Sequence, residues 1–171
     1  MENVSSYIFT NEVIKKTAID IFLISVIYFI TPISHLLNFP LYLFDPMRVA
    51  IIISIIFTSR NNTFLLAITL PVFSFFISSH PFFLKAILIS SELVLNIYIF
   101  YLLFSLWKKY FWSMLAGILA AKIFYYSFKY IFISSHLIDS SLISTPLLFQ
   151  LGLAVILSIF LDIAMLRQNK L

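Results

Sequence analysis

Apolar residues along this chain come in long runs, not at alternating or amphipathic spacing. A membrane span needs about 20 apolar residues. Six runs approach that length: Thr17–Leu36, Pro46–Thr58, Thr63–Ile77, Pro81–Trp107, Tyr110–Ser134 and Thr145–Leu166. The breaks between them hold proline, asparagine, serine and charge: "NFPLYLFDP", "SRNN", "SSHP", "WKKY" and "SSHLIDSSLISTP". Pro46, Pro81 and Pro146 suit the first turn of a helix, where a missing N–H costs nothing. The second and third runs are short, so two crossings and one hairpin dipping into the membrane both fit them.

Composition sharpens the class. Of 171 residues, 62% are hydrophobic and 11% charged, with mean hydropathy +1.07. A soluble domain is nearer half apolar and a quarter charged. The pattern predicts an all-α membrane protein, a bundle of six transmembrane helices forming one integral membrane domain over residues 1–171. The first apolar run is too long for a cleavable leader and lacks a small-residue cleavage step. There are no cysteines, which excludes disulfides and zinc–thiolate sites.

The net charge of +4 is not a nucleic-acid footprint, because the cations fall at span ends. Lys15 and Lys16 precede the first span. Arg60 separates the second and third, Lys108 and Lys109 the fourth and fifth, and Arg167 and Lys170 follow the sixth. The other connections hold Arg48 beside Asp45, then His80, then His136 and Asp139. Cations gather on the cytoplasmic side, so both termini are expected there. The triplets Asn3-Val-Ser5 and Asn61-Asn62-Thr63 match a glycosylation pattern by chance, since both would face the cytoplasm.

Charges within the runs stand out, because each costs about 2.5–3.5 kcal/mol at the centre of a bilayer unless paired. At about 1.5 Å per residue, Lys85 and Glu92 lie roughly 5 and 15 Å from the outer end of the fourth span. Lys129 and Lys122 lie roughly 6 and 17 Å from the outer end of the fifth. Glu92 is therefore level with Lys122, and Lys85 with Lys129. The members of each helix's pair are seven residues apart, so they share a face. Asn96 follows one turn deeper, and Gln150 stands about one turn into the sixth span. An inward column results, with Glu92 neutralising Lys122. Lys85 and Lys129 are then left to attract an anionic small molecule from outside.

Plainer readings accompany each residue. Lys85 and Lys129 are near enough to the surface to snorkel, and Glu92–Lys122 serves equally as a structural lock. Asp20 with Lys16, and Asp162 with Arg167, read as surface pairs. Tyr125 and Tyr126 either line the column or pack within the bundle. His35, His80 and His136 show no metal-ligand spacing, and no metal or other cofactor is expected. Ala116/Ala120 and Gly117/Ala121 allow close helix approach, within the bundle or to a partner. Catalytic motifs are missing and there are two glycines in all, so neither an enzyme nor an ATP-binding loop is expected.

The stretch Pro46–Phe100 resembles the substrate-binding S-components of energy-coupling factor (ECF) vitamin transporters, prokaryotic proteins of the cell (inner) membrane. The likeness lies in a proline-led second span at Pro46, a short turn at Ser59-Arg60-Asn61, the step "LPVFSFFISSHP", and a mid-helix Glu92. It implies capture of a vitamin-like molecule at the outer face and energy from a transmembrane scaffold subunit and two ATP-binding subunits. It places the pocket among spans four to six, where Glu92, Asn96, Lys122, Lys129 and Gln150 fall. The turns lack the family's glycines, and the first span lacks its Ala-xxx-Ala docking face. In size and span count the chain is also similar to the MreD family, non-transporting scaffolds of cell-wall elongation. That family's glycine-and-aspartate step is replaced here by Pro71 and Ser74.

Overall fold

A computed structural model describes residues 11–36, 41–78, 81–143 and 145–168. His80, Lys170 and the triplet at Asn3 lie outside the described residues, as does the side chain of His35. The described residues form six α-helices and no strand: α1 Asn11–Leu36, α2 Pro46–Phe57, α3 Arg60–Ser78, α4 Phe83–Trp107, α5 Tyr110–Ser134 and α6 Leu147–Gln168. A 3-10 turn, Leu41–Phe44, precedes α2. Among the described residues, α3, α4, α5 and α6 are long and apolar enough to cross a membrane.

The boundaries follow from the chain's punctuation. Pro46 opens α2 behind an Asp45 cap. Lys108 closes α4 in the left-handed conformation at φ 54°, and Lys109, extended, begins α5. Two helices begin well before their apolar runs, and α6 continues two residues past its own, to Gln168. α1 takes in Lys15 and Lys16, and α3 begins at Arg60, because a polar first turn is no obstacle to helix formation. Pro71 sits inside α3 without ending it.

Sequence neighbours run antiparallel. α4 packs between α3 and α5, α6 against α5 and α2, and α2 against α3, while α1 leans on α2 and α3. Ile51, Ile52, Leu70, Leu93, Ile97, Phe100, Met114, Ile118 and Leu161 form the dry centre. The outer surface is oilier than any water-facing surface, with Leu148 85% and Phe76 72% exposed. Where α4 meets α5, Gly117 admits the α4 backbone. A Cβ there would stand 3.0 Å from the Asn96 carbonyl and 3.4 Å from the Phe100 nitrogen. The Gly117/Ala121 part of the small-residue pattern on α5 thus lies inside the chain, with Ala121 buried as well.

Two ends can be told apart. At one, Arg60 lies over the Tyr101 ring at 4.8 Å, and Ser54 Oγ is 3.0 Å from Thr63 Oγ1 across the α2–α3 turn. There the Phe111 N–H donates to Asp162 Oδ1 at 3.3 Å, so Asp162 caps α5 where the sequence pointed to Arg167. The other end carries the start of α4 and α6, and α2 begins on that side of the bundle.

Helix length decides what happens at that second end. At about 1.5 Å per residue, the 12 residues of α2 span only about 18 Å, whereas the 25 of α4 span about 38 Å. Tied to α3 by its tight C-terminal turn, α2 stops part-way along the bundle. The space beyond its first turn is left for other groups.

Candidate functional site

The first turn of α2 carries a cation to the bundle's mid-depth. The Asp45 carbonyl accepts from the N–H groups of Arg48 and Val49 at 2.9 and 3.1 Å, and its carboxylate takes a longer bond, 3.4 Å, from the Arg48 N–H. Asp45 is left-handed, φ 49° and ψ 60°, a conformation that aspartate tolerates better than most residues. This local geometry turns the Arg48 side chain inward, where it is 3% exposed.

Arg48 Nη2 donates to Glu92 Oε1 on α4. Lys122 Nζ on α5 reaches the same oxygen at 3.0 Å. Asp45 Oδ2 stands 3.3 Å from Arg48 Nη1 and 3.9 Å from Lys122 Nζ. Two cations and two carboxylates thus form a closed quartet drawn from α2, α4 and α5. Removing a charge from water is expensive, and a group of this kind persists only where each member is compensated.

Above the quartet lies a cavity of about 260 Å³. Asp45, Arg48, Glu92 and Lys122 form its charged floor. Lys85, Tyr125, Tyr126, Thr145 and Gln150 stand on its walls with Ile27, Leu43, Ile89 and Leu153. Tyr126 Oη and Gln150 are mutually bonded: Oη lies 2.8 Å from Oε1 and accepts from Nε2 at 2.6 Å. Gln150 Nε2 also donates to the Thr145 carbonyl at 2.8 Å. Lys122 lies over the Tyr125 ring at 5.4 Å.

Of the six residues expected at a binding site, Lys85, Glu92, Lys122 and Gln150 line this cavity. Asn96 and Lys129 do not. Asn96 is fully buried one turn below, where Nδ2 meets Met114 Sδ at 3.9 Å. A Cβ on Gly117 would come within 3.0 Å of that nitrogen. Its face is right, but its depth carries it beneath the floor into the α4–α5 seam. Lys129 is 1% exposed and neither snorkels nor lines the cavity. Its Nζ donates to the Leu142 carbonyl at 2.9 Å, tying down the connection between α5 and α6.

Arg48 and Asp45, which the sequence assigns to a connection between spans, both belong to the floor. The signal available was the shortness of the second apolar run, which places a residue at its start at mid-depth, level with Glu92. No protein-family model, curated protein or solved structure matches the chain.

Proposed function

We propose that this chain is a substrate-binding membrane subunit of the ECF type, with six spans and both termini in the cytoplasm of a prokaryotic cell. It captures a small micronutrient at the outer face and passes it inward with a transmembrane scaffold and ATP-binding subunits, catalysing no reaction itself. The observation that carries this reading is the cavity with a charged floor at the end away from Arg60, Lys108 and Lys109. Pockets of this kind, apolar-walled with a few convergent polar groups, are where small molecules bind.

A second reading, an MreD-like scaffold, draws on a different observation. The quartet satisfies its own charges and so locks α2, α4 and α5 together without a ligand. Native mass spectrometry of the purified protein separates the two. A co-purified metabolite lost on unfolding supports the binding subunit. Stoichiometric protein partners without any metabolite support the scaffold.

A further inference from the structure

The cavity's charges do not balance, and the residue left over is Lys85. In the quartet, each carboxylate faces both cations: Asp45 faces Arg48 and Lys122, and Glu92 does the same. Lys129 keeps its charge, since its bond is to the neutral Leu142 carbonyl, but it does not line the cavity. Lys85 lines the cavity and, among the described residues, forms no ion pair. Among the residues that line the cavity, three cations meet two carboxylates, and the surplus is one positive charge.

Two further features bear on what that charge meets. Arg48 keeps a buried donor, Nε, with no hydrogen-bond partner among the described residues. Buried donors of this sort are uncommon unless something else satisfies them. Across the cavity, the Tyr126–Gln150 pair offers neutral hydrogen-bonding groups. A volume of about 260 Å³ is room for a compact organic molecule.

We propose that the cavity selects a compact organic monoanion, its single anionic group drawn to Lys85 and its uncharged remainder lodged between Ile89 and the Tyr126–Gln150 pair. This deepens the binding-subunit reading and rests on it. A dianion leaves one charge uncompensated in a confined space. A neutral isostere leaves Lys85 as it was and gains nothing from it.

The test is binding of three probes to the full chain purified in detergent: benzoate, its neutral isostere benzamide, and the dianion phthalate. Benzoate should bind about tenfold or more tighter than benzamide and tighter than phthalate. Lys85→Met should remove the preference for benzoate over benzamide, and Lys85→Arg should restore it. Equal affinity for benzoate and benzamide in the unaltered protein overturns the selection, whatever the variants do. So does a Lys85→Met protein that still prefers benzoate, or a preference for phthalate. In each of those cases the binding reading itself survives. Failure of all three probes to bind overturns the selection, while the binding reading stands or falls on the co-purified metabolite.

Discussion

At the scale of single residues, the chain's two glycines make opposite predictions. Gly117→Ala places a methyl group 3.0 Å from a main-chain oxygen of α4 that cannot swing aside. Overpacking of this kind costs about 1–3 kcal/mol, so thermal melting in detergent should fall. Gly152→Ala meets nothing within 4 Å and trades glycine for a better helix former. It should raise stability by up to about 1 kcal/mol.

Glu92 carries the larger stake, because it is the carboxylate that Arg48 and Lys122 share at one oxygen. Glu92→Gln leaves two inward cations with only Asp45 between them. Breaking a buried pair typically costs about 3–5 kcal/mol, and ligand retention should fall with it. Replacing Glu92 and Arg48 together by Met should cost less than the sum of the single changes, since no orphaned charge remains. A double-mutant cycle by melting checks this. The Glu92–Lys122 meeting was legible from depth and helical phase alone. Lys129 was not, because helix geometry ranks side chains by level and face but cannot see a main-chain carbonyl arriving from a loop 13 residues on.

Elements were easier to read than their contacts. The limits of α5 follow directly from the run between "WKKY" and the serine pair, and α2 is one residue shorter than its apolar run. The hydrophobic pattern could not show that α1 and α3 begin in polar sequence, since hydropathy marks apolar stretches and not helical ones. Nor does a list of spans show that a short helix among long ones leaves a vacancy.

The cap of α2 carries a stability prediction. Asp45→Asn keeps a side chain that tolerates φ 49° but removes the charge that stands 3.3 Å from Arg48 and 3.9 Å from Lys122. Its melting temperature in detergent should be lower than that of the unaltered protein.

At the scale of the molecule, the arrangement of cations makes the topology testable. With no native cysteine, single cysteines can be introduced at Lys109 and Ser141 in intact cells. A membrane-impermeant maleimide should label Ser141→Cys from outside and Lys109→Cys only after permeabilisation. The reverse result would turn the bundle over and point the cavity at the cytoplasm. The all-helical architecture was legible because lipid accepts few alternatives to a helix. The cavity was partly legible, its residues on α4, α5 and α6 foreseen and those at the start of α2 not.

The tie between Lys129 and the Leu142 carbonyl has an evolutionary corollary. Every amino acid presents that same oxygen, so position 142 can drift through almost any side chain without loosening the strap over the α5–α6 corner. Position 129 has no such latitude, because only a long donor reaches across. Among descendants of this sequence the corner should diverge freely while the lysine beneath it stays fixed. A lineage that lost the lysine should show a shortened or newly anchored corner in its place.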